Sequence, residues 1–208
     1  MRIAIMIFEA LTALDAIGPY EVLSRLPGSE VTFVGPQAGP IRTDNGALGL
    51  NVDVTIDDFP DPDVFLIPGG EGNRPLLTDE RVLEWIRTAH ETSQWTTSVC
   101  TGSLVLGAAG VLQGKRATSH WAYRELLSNF GATPTAQRVV EDGKVITAAG
   151  VAAGIDMALT LAERLAGSEV AKTIQLGIEY DPDPPFDTGS PEKAGPELVA
   201  RVRADESG

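Results

Sequence analysis

The 208-residue chain predicts an α/β fold, with a mostly parallel central sheet and helices on both faces. Three observations carry this reading. Short runs that are apolar at residues 2–8 and 64–67, with a β-prone run at 96–99, have the pattern of strands in a buried sheet. Segments of helical periodicity separate such runs. Two of the runs stop abruptly, at Pro68-Gly69-Gly70 and at Cys100-Thr101-Gly102, where strands turn sharply toward helices. Hydrophobic residues make up 43% and charged residues 22%, a globular rather than a disordered composition. The length suits a single domain spanning residues 1–208, with an extended proline-rich segment from about residue 181.

The elements follow in order. Residues 2–8 read as a central strand. A helix follows from Asp15, with Pro19 in its first turn and Val22, Leu23 and Leu26 on its apolar face. Residues 31–34 are a second strand. Residues 41–54 form a hairpin turning at Asp44-Asn45-Gly46, whose Asn-Gly pair is a strong turn signal. Residues 59–62 are a loop, and 64–67 a buried strand. Residues 78–91 are a helix with Asp79 and Glu80 in its first turn, where acids suit the helix dipole. The strand, sharp turn and helix around Cys100 come next, in the manner of a nucleophile elbow. A helix is expected over residues 119–127, a hairpin about Asp142-Gly143, and helices over 151–165 and 171–180. The tail beyond residue 191 is weakly specified. Together these give a flavodoxin-like sandwich.

Charge and cysteine usage narrow the function. A formal net charge of -13 argues against a nucleic-acid partner, which needs a basic face, and against an anionic membrane surface. No stretch approaches a membrane span. A single cysteine excludes a disulfide within the chain, a Cys-x-x-Cys redox pair and a multi-thiolate metal site. The two histidines and scattered acids have no metal-ligand spacing, so no metal is expected. A soluble cytoplasmic protein is the expectation.

In a parallel α/β sheet, ligands bind beyond the carboxyl ends of the strands. Asp15, Gly69-Gly70 and Cys100 each follow a strand and so converge at one sheet edge. Cys100 is the candidate nucleophile, its thiolate favoured by the N-terminus of the helix it precedes; the plainer reading is a packing cysteine. Asp15, between Leu14 and Ala16-Ile17, is a candidate acid whose burial raises its pKa, or else a helix cap. Gly69 and Gly70 can offer unhindered backbone N–H groups as an oxyanion hole, or form an ordinary turn. Thr101 offers an N–H and a hydroxyl beside the sulfur. Ile17 and Val151 are apolar candidates for the pocket wall, and Gly150 and Gly154 let the helix after Val151 approach the sulfur. His120 pairs with the thiol or is structural; His90 lies on a polar helix face.

These residues resemble the ThiJ/PfpI superfamily over nearly the whole chain. The resemblance rests on Ser98-Val99-Cys100-Thr101-Gly102-Ser103, on Ile67-Pro68-Gly69-Gly70 and on the acid after the first strand. Its isocyanide (isonitrile) hydratase branch is more similar still. That match includes Leu14-Asp15 with Gly18-Pro19, Gly114-Lys115-Arg116-Ala117-Thr118 with His120-Trp121-Ala122-Tyr123, Ala153-Gly154-Ile155-Asp156, and a tail running from Glu179-Tyr180 to Ser190-Pro191. Many superfamily members carry Glu where this chain has Asp15. The resemblance implies cofactor-free hydration of a small apolar isocyanide to an N-substituted formamide. Cys100 attacks the terminal carbon, Asp15 protonates that carbon, and water activated by the ionised Asp15 resolves a thioimidate. Thr101 and the Gly70 region hold the reacting atoms. It also implies a homodimer. Ala148-Ala149 depart from the Gly-Gly common among relatives, which bears on pocket size. Two alternatives use the same thiol. One is glyoxalase-like conversion of a 2-oxoaldehyde, which would prefer Glu at position 15. The other is redox sensing through a sulfenic or sulfinic acid.

Overall fold

The computed structural model describes residues 1–205. They divide into two compact units, Met1–Ile178 and Glu179–Gly208. The first unit runs β1 (Arg2–Met6), α1 (Ala13–Leu23), β2 (Glu30–Gly35), β3 (Gly39–Arg42), β4 (Gly49–Val52), β5 (Val54–Thr55) and β6 (Val64–Ile67). It continues with α2 (Glu80–Thr92), β7 (Trp95–Val99), α3 (Gly102–Ala108), β8 (Arg116–Ala117) and β9 (Thr133–Pro134). It ends with β10 (Val139–Asp142), β11 (Val145–Ala148), α4 (Ala153–Ala166) and α5 (Ser168–Gly177). The second unit holds α6 (Pro191–Ala194) and α7 (Pro196–Asp205) after a stretch without regular structure. Residues 206–208 of the tail lie outside the described residues.

Seven strands form the central sheet in the order β10-β11-β7-β6-β1-β2-β5. All neighbours are parallel except β10 against β11. Helices cover both faces, as the apolar runs required: Ile3, Ile5, Phe65 and Leu66 have no exposed surface on either side of the sheet. The chain leaves β1 toward β2 on one side and returns to β6 on the other. The break in strand order therefore falls between β1 and β6, where open α/β sheets bind ligands. In register, Ile3 lies beside Val64, Ile67 beside Ser98, and Val99 beside Ala148. Among the described residues no helix is long and apolar enough to cross a membrane.

Several elements form for the expected local reasons. Asp79 caps α2, its carboxylate accepting from the Arg81 and Val82 N–H groups at 3.1 and 3.3 Å. At the other end, Lys144 Nζ donates to the carbonyls of His90, Glu91 and Ser93, near the negative end of the helix dipole. The Asn-Gly hairpin pairs β3 with β4, and Gly46 takes a φ of 72° in its turn.

Other elements differ from the sequence reading. Pro19 lies inside α1 rather than in its first turn, because the helix already begins at Ala13. Proline has no N–H to offer the carbonyl one turn back. The helix expected over residues 119–127 is instead a 3-10 segment at Arg124–Phe130, closed by Gly131 at φ 72°. Tertiary bonds hold the preceding residues out of a helix: Thr118 N–H donates to Thr147 Oγ1 and Ser119 Oγ to the Cys100 carbonyl. The last helix of the first unit starts at Ser168, three residues before its expected beginning at 171, just after Gly167 at φ 86°.

Candidate active site

Cys100 stands between β7 and α3 with φ 57°, in the left-handed region. For a residue other than glycine this conformation costs roughly 1–2 kcal/mol, so the surroundings must enforce it. Its N–H faces the carbonyls of Ala148 and Ala149 at 3.1 and 3.2 Å. Its own carbonyl accepts from Ser119 Oγ at 2.9 Å and from Ser103 Oγ at 3.2 Å. A Cβ at Gly102 would collide with the Ile67 carbonyl oxygen, so only glycine lets α3 begin this close to the end of β6.

Asp15 enters from α1. It has no exposed surface, and its Oδ2 accepts the Gly69 N–H at 2.8 Å. Its Oδ1 is buried with no aligned hydrogen-bond donor. Burial pushes this carboxyl up to about 7, and the neighbouring Asp44 charge adds to the rise. The Gly69 N–H and the Cys100 thiol act the other way. A Cβ built on Gly69 would lie 2.6 Å from both Thr101 N and Thr101 Oγ1, and 2.9 Å from Asp15 Oδ2. The loop after β6, the acid and the elbow therefore meet around one glycine.

Cys100 is 6% exposed, and burial pushes the pKa of its thiol well above the ordinary cysteine value. The Asp15 charge raises it further, while the Thr101 N–H and hydroxyl favour the thiolate. This corrects the expectation of a thiol lowered by a helix N-terminus. Helix α3 has only seven residues, and its field does not offset the loss of water. The ionised carboxyl opposes loss of the thiol proton, so above about pH 7 the pair holds one proton between its two sites.

The oxyanion role expected of Gly69 and Gly70 is corrected as well. Gly69 N–H is committed to Asp15, and Gly70 N–H donates to Thr101 Oγ1 at 3.1 Å. Both groups hold the side chains of Asp15 and Thr101 in place. Because Thr101 Oγ1 accepts from Gly70, its own hydrogen remains for the sulfur. Gly70 has φ 124° and ψ 167°, and a Cβ there would sit 2.5 Å from Thr12 N.

A model of the DJ-1/PfpI family matches residues 1–164. The chain belongs to the DJ-1/PfpI family. Over 203 residues, 98% of this chain and 89% of the relative, it is 48% identical to the isonitrile hydratase of Pseudomonas putida. A ThiJ/PfpI family protein of solved structure from Pseudomonas syringae is 38% identical, with a TM-score of 0.92 over 99% of this chain and 84% of that one. Drosophila melanogaster DJ-1beta, 24% identical, shares the fold with a TM-score of 0.78 over 86% of this chain and 97% of its own.

Within this DJ-1/PfpI fold, Cys100, Asp15, Thr101, Gly69 and Gly70 come together as the strand ends anticipated. Ile17 and Val151 are half-buried, at the start of α1 and just ahead of α4. His120 rests against Gly150, where an added Cβ would collide with its ring, and in ring contact with Trp121 and Tyr123 at 5.6 and 6.0 Å. The groups that act on the thiol are Asp15 and Thr101. Sequence reasoning missed Ser119, whose hydroxyl braces the elbow from the loop beside His120. It also read Asp44 only as a turn residue. Serine and aspartate are common in loops, so neither carries a local signal.

Proposed function

We propose that this protein hydrates a small apolar isocyanide to the N-substituted formamide. The observation that carries the reading is the buried Asp15 carboxyl, raised to about 7, acting on the Cys100 thiol beside Thr101. The similarity to an isonitrile hydratase over nearly the whole chain supports it. In the reactive form of the one-proton pair, the proton is on Asp15 and the charge on sulfur, where the Thr101 N–H and hydroxyl stabilise it. The sulfur electron pair forms a bond to the terminal carbon of R–N≡C, and that carbon takes the Asp15 proton. The product is a thioimidate, R–N=CH–S–Cys100. The ionised Asp15 then accepts a proton from water as the water oxygen bonds to carbon and the nitrogen takes the second proton. Cleavage of the C–S bond releases R–NH–CHO and restores the pair. Ile17 and Val151 supply apolar wall. The same reading takes the enzyme as a cytoplasmic homodimer.

A glyoxalase-like reaction prefers glutamate at position 15 and a histidine working at the sulfur, and this chain has Asp15 there. The test is formamide production from an alkyl or aryl isocyanide. Cys100→Ala should abolish turnover, and Asp15→Asn should lower it at least ~100-fold. Turnover by the native protein should rise as pH passes through about 7, where the pair comes to hold a single proton. Formation of no formamide above the buffer rate would overturn the assignment.

A further inference from the structure

The β3–β4 hairpin reaches the site without belonging to it. At its turn, Asp44 N–H donates to the Leu11 carbonyl at 2.9 Å, and Thr12 Oγ1 donates to Asp44 Oδ2 at 2.9 Å. Thr12 N–H donates to the Gly69 carbonyl at 3.0 Å, and Gly69 N–H donates to Asp15 Oδ2. The hairpin is fastened further by Ala10 N–H to the Arg42 carbonyl at 2.7 Å, with Ala10 itself at φ 59°. An unbroken set of short bonds thus runs from an exposed acid to the buried one. We propose that Asp44 is a positioning residue of the active site, which through Thr12 and Gly69 seats the Asp15 carboxyl and by its charge sets the pH at which the Asp15–Cys100 pair gives up its first proton.

The charged neighbours leave Asp44 as the group free to do this. The Glu9 carboxylate accepts the Arg42 N–H at 3.0 Å, and the Arg42 guanidinium donates to the Ala47 carbonyl. Glu71, on the turn after Gly70, pairs with Arg74 at 2.9 Å. Among the described residues, the titratable groups acting on Asp15 are Cys100 and Asp44, and Asp44 works toward the protonated acid. Removing one negative charge eases every ionisation of the pair, so the sign is the same whichever partner holds the proton.

The inference rests on the proton-sharing pair of the proposed mechanism, but its test needs no isocyanide, so the two can fail separately. The rate of Cys100 alkylation by iodoacetamide is followed against pH by intact mass. Asp44→Asn, which keeps an acceptor oxygen for the turn, should move the midpoint to lower pH by about half a unit, the size fitting an exposed charge. Thr12→Val loosens the seat through which the Gly69 N–H favours the ionised acid and should move the midpoint to higher pH, and Thr12→Ser should restore the native value. In the unsubstituted protein, about 0.5 M NaCl should lower the midpoint by screening an exposed charge. The same salt should leave the Asp44→Asn midpoint in place. The salt comparison does not depend on any variant folding. A native midpoint in Asp44→Asn, a shift to higher pH, or salt independence of the native protein would overturn the charge role. A native midpoint in Thr12→Val would overturn the hydrogen-bonded route.

Discussion

Asp15 is fully buried and accepts one backbone N–H, an unfavourable place for a carboxylate. Its folded pKa of about 7 lies above the ordinary 3.8. The folded state therefore binds this proton more tightly than the unfolded chain does. Stability from this group is complete below about pH 4 and is lost as pH rises toward 7, by about 4 kcal/mol at most. Asp15→Asn should accordingly raise the thermal midpoint at pH 8 while leaving it nearly unchanged at pH 4, and at both it should lose turnover. Ser119 has the opposite character, since it stabilises the elbow and touches no reacting atom. Ser119→Ala leaves the Cys100 carbonyl with only the longer bond from Ser103, and should cost about 1–2 kcal/mol in urea unfolding. Cys100 was legible as a turn residue because small residues follow a β-prone run. The direction of its pKa was not, because sequence says nothing of how much water reaches a sulfur.

At the scale of elements, the central strands β1 and β6 were readable because burial on both faces leaves an unbroken apolar run, and β7 from its β-prone threonines and valine before the turn at Cys100. The hairpin of β3 and β4 was readable from its Asn-Gly turn. The segment at residues 119–123 was not: its helical periodicity is real, but Thr118 and Ser119 bond across the fold to Thr147 and Cys100. Lys144 illustrates the same limit. Its ammonium closes the C-terminus of α2 from a residue more than fifty positions away, on the turn between β10 and β11. Lys144→Met keeps the length of the side chain and removes the donors. It should destabilise the protein by about 1–3 kcal/mol in urea, and most of the added hydrogen exchange should fall in the last turn of α2. His90 lies there too, its Nδ1 2.7 Å from Thr96 Oγ1, and its pKa is lowered by burial and by Lys144.

For the molecule as a whole, the convergence of Asp15, Gly69 and Cys100 followed from topology alone, since each leaves the carboxyl end of one of three adjacent parallel strands. Which N–H meets which oxygen did not follow, and so the glycines that looked like ligand donors prove to be props for an acid and a hydroxyl. Two groups shape the pH response in opposite senses. Asp15 withdraws stability as pH rises toward 7, whereas His90, with a depressed folded pKa, withdraws it as pH falls below the ordinary histidine value of 6.5. Where the two ranges overlap the opposed slopes offset each other, so these groups leave the native chain's stability nearly level there. In Asp15→Asn the histidine contribution is unopposed, and stability should rise from pH 5 to about 6.5 and level off above it in equilibrium unfolding. The solitary cysteine has a use beyond chemistry. Its bracing partners come from β11, from α3 and from the loop after β8, so the turn closes only when distant parts of the chain have arrived. A brief pulse of alkylating reagent during refolding, read by mass, then counts the molecules still lacking a finished sheet edge.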